Sequence, residues 1–245
     1  MKNVEISDEK FLAIKDKIIR GYENVPLSDA YQQAREKSAE IYHNVKFNWN
    51  DLAPIAETAT LRNIKEYGEK LFSEISVEGF IYGDFEEKDA RKTLRLFKEK
   101  TGYKGTSRSD AFELNFLSQK TPEIVQYVDS LKVNNSCFWR EYQVGIDTPE
   151  LRAKSIIIGK AIQQPFYTEM RTNQQLGYIV WSNVFNRDDL YYLSFAIQSG
   201  VYPADELNYR ADEYISSLPE YIKNMDSTTF NQIIESSIEE LEKSP

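Results

Sequence analysis

Residues 167–181 read Tyr167-Thr-Glu-Met-Arg171-Thr-Asn-Gln-Gln-Leu-Gly177-Tyr178-Ile-Val-Trp181, and a helical pattern gives way to a strand pattern across Gly177. Upstream of this point, apolar residues between Pro149 and Met170 are spaced so that they cover one side of a helix. Downstream, the aromatic and β-branched run from Tyr178 to Trp181 is typical of a strand. Because glycine adopts a positive φ without a Cβ penalty, we predict that Gly177 ends the helix and turns the chain into a sheet.

This junction carries two side chains of complementary chemistry. Arg171 falls in the last helical turns and Tyr178 opens the strand, so we expect both to reach the same small volume. A guanidinium offers several donors in a fixed fork, and a phenol hydroxyl donates to developing negative charge. A structural interpretation stays open at this point. An arginine near a helix C-terminus interacts favourably with the helix dipole, and a Gly-Tyr pair is common in a turn from helix to strand.

The same residues resemble a motif of the insulinase/pitrilysin zinc metallopeptidases, most closely of their insulin-degrading-enzyme branch. The motif in this chain is Arg171-Thr-x-x-Gln175-Leu-Gly-Tyr178-Ile-Val. The resemblance implies that Arg171 holds a carbonyl of the bound peptide and that Tyr178 donates a hydrogen bond to the tetrahedral oxyanion. It also implies that Tyr167 lines the pocket for the substrate side chain after the scissile bond. In the family these residues belong to the C-terminal half of a long chain and close over a zinc site in the N-terminal half. The implied partners are therefore peptide substrates and that N-terminal half.

Metal-ligating residues are scarce. The catalytic half of the family carries H-x-x-E-H on a helix, with two imidazoles that bind zinc and a glutamate that activates water. This chain has one histidine, His43, and one cysteine, Cys137. Catalytic zinc normally needs three protein ligands, so we predict that this chain binds no metal and that the zinc of the parent enzyme lies outside it. We expect His43 to be structural at a helix end and Cys137 to be a buried, inert thiol in a strand.

Composition limits the classes of function. The chain has 245 residues, 41% hydrophobic and 28% charged, which is typical of a soluble globular protein of one large or two small domains. The net charge of -9 argues against a nucleic-acid partner, because phosphates require a surface rich in Lys and Arg. No apolar run is long enough to span a membrane, and the polar N-terminus does not resemble a signal peptide. A signal would belong to a longer parent chain, so the compartment stays unknown.

Periodicity and capping residues predict the order of elements. Helices are predicted over 7–22, from Ser28 to about Asn44, from Asn50 or Asp51 onward, from Thr58 or Thr60 to Phe72, and over 86–100, 149–170, 205–222 and 227–241. Strands are predicted over 76–84, 111–117, 124–130, 137–144 and 178–181, and in a hairpin over 184–199 with a polar turn at 186–189.

Taken together, the sequence predicts an α+β fold of mostly antiparallel strands with helices on one face. By the resemblance it consists of two partial domains of the insulinase/processing-peptidase-like fold, 1–119 from the end of one domain and 120–245 from the start of the next. We expect a segment of a zinc metalloendopeptidase that supplies substrate-binding and transition-state residues and is inactive alone. The alternative is a non-catalytic peptide-binding or assembly subunit of the same fold. A segment of this kind would expose apolar surface, which favours self-association.

Overall fold

The computed structural model describes residues 6–71, 75–105, 124–187 and 189–243. Contacts within the chain group the residues into two compact units. Unit 1 consists of Met1–Asn24 and Phe47–Asn115, and unit 2 of Val25–Lys46 and Phe116–Pro245. Segment 25–46 thus belongs with the later part of the chain, which local sequence patterns do not indicate. The assignment of 1–119 and 120–245 to two domains of the family stays a prediction.

Unit 1 is helical in its described part. Its helices are α1 (Asp8–Asn24), α3 (Trp49–Thr58), α4 (Leu61–Lys70) and α5 (Glu87–Thr101), all at positions that the sequence predicts. The predicted caps are confirmed for Ser7, whose hydroxyl accepts the Lys10 N–H, and for Thr60, whose side chain accepts the Asn63 N–H. The cap of α3 differs, because the Asn48 side chain accepts the first free N–H groups of that helix in place of the predicted Asn50 or Asp51.

The strand predicted over 76–84 is wrong. Ile75 forms an isolated parallel bridge with Gly105, and the residues after it take up no regular strand. A β-prone sequence becomes a strand only where a neighbouring strand supplies hydrogen bonds and packing, and here Phe80 is 89% exposed. The strand predicted over 111–117 lies outside the described residues.

Unit 2 is built on a three-stranded antiparallel sheet. The strands are β1 (Ser136–Ile146), β2 (Ile179–Arg187) and β3 (Leu190–Ser199), in the order β1-β3-β2. The predicted strand over 137–144 and the predicted hairpin over 184–199 are confirmed. The strand predicted over 124–130 is wrong, since these residues form no regular strand and Ile124 is 95% exposed.

Helices α2 (Ala30–Tyr42), α6 (Pro149–Tyr167), α7 (Ala204–Lys223) and α8 (Ser227–Lys243) complete unit 2. The predicted start of α6 is confirmed in detail: Thr148 accepts the Leu151 N–H, and Pro149 occupies the first helical position, where its missing N–H costs nothing. Helix α8 is joined to α6 by Lys160, which donates to the Ser236 carbonyl at 2.9 Å and pairs with Glu240 at 2.8 Å.

The sheet is covered on both faces. On one face, Phe195 of β3 packs against Phe166 of α6, with ring centroids 5.0 Å apart, at the centre of the main core. On the other, Tyr192 of β3 packs edge-on against Tyr42 of α2, also at 5.0 Å. Side chains three positions apart on a strand point to opposite faces. The α+β class is confirmed. The sequence predicted helices on one face of the sheet, and α2 covers the other face as well.

Within the described ranges, the structure contains no helix long and apolar enough to cross a membrane.

Candidate functional site

The end of α6 changes from α-helical to π-helical winding. The π-helical segment Thr168–Asn173 follows Pro165, which lacks the N–H that an α-helix interior needs. The Glu169 carboxylate accepts hydrogen bonds from Asn173 at 2.7 Å and from Gln174 at 2.9 Å. These two side-chain bonds lower the pKa of Glu169 from its ordinary value, because they favour the charged carboxylate. The segment that carries Arg171 is therefore held by its own side chains as well as by its backbone.

The prediction that Gly177 turns the chain through a positive φ is wrong. The left-handed residue is Gln175, with φ 54°, and Gly177 has no positive φ. Gly177 is needed for a different reason: a Cβ on it would lie 1.9 Å from the carbonyl oxygen of Gln198. The chain therefore requires a residue without a side chain at 177 so that the entry to β2 can approach the end of β3 this closely.

Tyr178 lies immediately before β2, and the residue is 57% exposed. Its hydroxyl oxygen accepts a hydrogen bond from the side-chain amide of Gln198 at 2.5 Å. Its own proton is directed to the carboxylate of Asp29, but that oxygen is 3.5 Å away, at the outer limit of a hydrogen bond. The phenol oxygen therefore already accepts a hydrogen bond, whereas the phenol proton is only weakly bound to an acceptor.

Asp29 and Gln198 belong to a polar cluster that also contains Asn135. Gln198 donates to the Asp29 carboxylate at 3.3 Å, and Asn135 donates to the same oxygen at 3.4 Å. The carbonyl oxygens of the two amides accept backbone N–H groups at the start of α2, Tyr31 for Gln198 and Ala30 for Asn135. Sequence reasoning missed both Asp29 and Gln198. A glutamine in the largely apolar and aromatic β3 was a feature that indicated a buried polar network.

Arg171 and Tyr167 lie together at an open depression of about 480 Å³, lined also by Thr172 and Gln175. Arg171 forms no hydrogen bond or ion pair with any residue in the described part of the chain. Its guanidinium therefore keeps its donors available to a ligand. Tyr178 does not line this depression, and the expectation that Arg171 and Tyr178 reach one small volume stays a prediction.

The part of the chain that the structure describes offers no zinc site. His43 is the end residue of α2, and its ring Nδ1 is hydrogen-bonded to the carbonyl of Ala39. Cys137 lies in β1. Among the residues that the structure describes, no three His, Cys, Asp or Glu side chains come close enough to hold a metal ion.

Sequence comparison finds relatives along nearly the whole chain. Residues 157–245 match the family model described as PQQ synthase PqqF-like, C-terminal lobe domain 4. Insulin-degrading enzyme-like 2 of Arabidopsis thaliana is 22% identical over 98% of this chain and 26% of its own length. Human insulin-degrading enzyme is 22% identical over 99% of this chain and 24% of its own length. A putative zinc protease of Caenorhabditis elegans is 24% identical over 74% of this chain and 22% of its own length. The chain thus spans about a quarter of the length of these relatives.

The fold comparison agrees with the sequence comparison. The crystal structure of pitrilysin superposes with a TM-score of 0.79 at 18% identity, over 100% of this chain and 26% of the pitrilysin chain. The family model, the curated relatives and the solved structure support one conclusion: the chain is similar, over nearly its whole length, to a C-terminal segment of the insulinase/pitrilysin family of peptidases.

Proposed function

We propose that this chain supplies substrate-binding and transition-state residues to a peptide hydrolase. In this proposal Tyr178 donates a hydrogen bond to the oxyanion that forms when the scissile carbonyl is attacked, and Arg171 holds a carbonyl of the bound peptide. The observation that carries the proposal is the hydroxyl of the exposed residue Tyr178, which accepts from Gln198 and has only a 3.5 Å contact for its own proton. A donor of this kind can turn to a ligand at little cost.

The geometry of Tyr178 suits stabilisation of negative charge. An oxyanion competes for the phenol proton with the distant Asp29 carboxylate, and a charge-assisted O–H···O⁻ bond of 2.5–2.7 Å is much the stronger of the two. The Gln198 N–H remains on the phenol oxygen throughout, so the hydroxyl needs no new partner when its proton turns. The phenol oxygen is thus held in place before charge develops and only its proton has to turn, which keeps the reorganisation small.

Arg171 and Tyr167 are suited to position the peptide. The guanidinium has no ion-pair partner among the described residues, so binding a peptide carbonyl breaks no ion pair that the structure describes. Tyr167 lines the same depression and offers a ring face to a substrate side chain. We assign Tyr167 to the pocket for the side chain that follows the scissile bond.

The zinc and its ligands belong, in this proposal, to another part of a longer chain. The described residues of this segment form no group that could hold a metal ion, and one relative is named a putative zinc protease. The N-terminal half of such a chain is the proposed partner of this segment, and peptides are the proposed substrates. We accordingly propose that the 245-residue chain alone cleaves no peptide.

The test is peptide cleavage by the full-length protein with and without a zinc chelator, in wild type and Tyr178→Phe. We expect the chelator to abolish cleavage and the loss of the phenol hydroxyl to lower kcat by about tenfold or more, as for removal of one oxyanion donor. Tyr209→Phe is a matched control, because Tyr209 is similarly exposed at 59% and its hydroxyl donates to a carboxylate on its own helix. We expect that control to retain kcat within about twofold.

Three results would contradict the proposal. Equal kcat for wild type and Tyr178→Phe would remove the transition-state role. Zinc-dependent cleavage by the isolated 245-residue chain would show that this segment contains its own metal site. Absence of any zinc-dependent cleavage by the full-length protein would favour the non-catalytic peptide-binding subunit instead.

A further inference from the structure

We propose that Gln198 is a positioning residue that makes the Tyr178 hydroxyl a hydrogen-bond donor toward substrate. The inference rests on the proposed function and extends it to a residue that lies outside the Arg171–Tyr178 motif. Gln198 is fully buried in β3, with 0% exposure, whereas Tyr178 faces solvent. The amide therefore connects the interior of unit 2 to a phenol on its surface.

The orientation of the Gln198 amide is determined by its neighbours. The backbone N–H of Tyr31 can only donate, and it lies 2.8 Å from the Gln198 Oε1. The NH₂ group must therefore face the other way, where its two protons meet the Tyr178 oxygen and the Asp29 carboxylate, which accept at 2.5 and 3.3 Å. If the amide were flipped, its NH₂ group would face the Tyr31 N–H, and that N–H would have no acceptor.

This orientation determines which way the phenol proton points. Because an N–H already occupies an acceptor position on the Tyr178 oxygen, the hydroxyl proton is turned away from Gln198. Among the described residues, the acceptor that the structure gives this proton is Asp29, whose Oδ1 also receives the amides of Gln198 and Asn135. A carboxylate oxygen that already accepts two amide protons holds a third donor, at 3.5 Å, only weakly.

The backbone of Gln198 serves the same end. Its carbonyl oxygen occupies the space that a Cβ of residue 177 would need, and it pairs in the ladder with Ile179, next to Tyr178. Gln198 thus contacts the segment around Tyr178 twice. Its main chain fixes the turn before Tyr178, and its side chain fixes the direction of the Tyr178 hydroxyl. A side chain that only filled core space would not require the hydrogen bond to the Tyr178 hydroxyl.

The first test is a kinetic cycle in the full-length protein with Gln198→Glu, Tyr178→Phe and the double variant. A carboxyl group at 198 still accepts the Tyr31 N–H, but it has no NH₂ group for the Tyr178 oxygen and it faces the Asp29 carboxylate, so the phenol loses its fixed donor. We expect Gln198→Glu to lower kcat about tenfold with KM within about twofold, and to change kcat less than about twofold when Tyr178 is already phenylalanine. An equal loss in both backgrounds would overturn the inference, because it would show a general structural effect.

A control for the added charge comes from the same sheet, at the partly buried Gln143. Gln143 lies in β1 opposite Tyr192, six ladder positions from the β3 residue Gln198. Gln143→Glu introduces the same charge into the same sheet far from Tyr178, and we expect kcat within about twofold of wild type. Equal losses for Gln143→Glu and Gln198→Glu would overturn the inference.

The second test needs no enzymatic activity. In the 245-residue chain labelled with ¹³Cζ-tyrosine, one of the 16 tyrosine resonances disappears in Tyr178→Phe and so identifies Tyr178. We expect Gln198→Glu to shift that resonance by more than Gln143→Glu does, and an unmoved resonance would overturn the inference. If Tyr178→Phe keeps full activity, the proposed function fails, whereas this spectrum still decides whether Gln198 controls the hydroxyl.

Discussion

Replacing Gly177 with alanine tests the close approach between the turn and the central strand. The added Cβ would lie 1.9 Å from the carbonyl oxygen of Gln198 and 2.8 Å from its carbonyl carbon, where Cβ contacts under 3.0 Å are essentially never seen. The two segments must therefore separate by about 1 Å or more, and no side-chain rotation relieves a clash between backbone atoms. We expect the overpacking to cost about 2–3 kcal/mol and a weakened ladder bond about 1 kcal/mol more.

The expected loss of about 3–4 kcal/mol corresponds to a fall in Tm of roughly 6–16 °C for a protein of this size. It is measured by thermal and urea unfolding of the chain, followed by fluorescence of Trp139 and Trp181, whose rings contact each other in unit 2. Gly200→Ala is the matched control: it lies just after β3, and a Cβ there meets nothing within 4 Å. We expect the control to change stability by less than about 0.5 kcal/mol. Equal stabilities for the two variants would refute the reasoning.

Two further predictions concern single ionisable groups. Burial raises the pKa of Cys137 to about 12 from an ordinary 9.0, so we expect its thiol to react with Ellman's reagent at pH 8 on the order of 100-fold more slowly in the folded than in the denatured chain. Because the unfolded thiol ionises first, this group lowers stability as the pH rises above that ordinary value, and equal reaction rates would contradict its burial. Glu169 has a lowered pKa from the bonds of Asn173 and Gln174, so its contribution to stability is present above the ordinary carboxyl value of about 4.3 and is lost as the pH falls below it. In urea unfolding between about pH 5 and pH 3, we expect the unfolding free energy of Glu169→Gln to fall less steeply than that of wild type, and parallel curves would contradict the role of this carboxylate.

Helices were predictable because their signals are local. Thr148 and Pro149 start α6 as their chemistry predicts, with a side-chain acceptor followed by a residue that needs no N–H partner. The same holds for Ser7 and Thr60 in unit 1. A cap satisfies donors within three residues of itself, so the nearby sequence contains all the information that it needs.

The β-prone segments became strands only where a partner strand lies beside them, as for β1 against β3 and for the hairpin of β2 and β3. The hairpin of β2 and β3 joins adjacent segments, and its alternation and polar turn are visible in the sequence. The segments 76–84 and 124–130 have similar β-prone composition but form no regular strand in the structure. Composition records that a residue fits a pleated surface, and it does not record whether another strand is there to pair with it.

The sequence correctly indicated that the turn needs a glycine at 177, but the physical reason predicted for it was wrong. The sequence suggested that a glycine was needed for its backbone freedom, and the turn does contain a left-handed residue. That residue is Gln175, whereas Gly177 is required by the backbone of Gln198, which lies twenty-one positions further along the chain. A steric requirement set by a distant residue has no local signature.

The polar partners of Tyr178 were hidden for a related reason. Asp29 lies 149 positions before the tyrosine, and an aspartate ahead of a helix is adequately explained as a cap. Gln198 has no such local explanation, because a buried amide in a central strand must find both acceptors and donors for itself. Since its backbone excludes a side chain at 177 and its amide holds the Tyr178 hydroxyl, a displacement of β3 would alter the turn and the phenol together. The stability of the Gly177 turn and the orientation of the Tyr178 hydroxyl are thus two consequences of one contact, the approach of Gln198 to the start of β2.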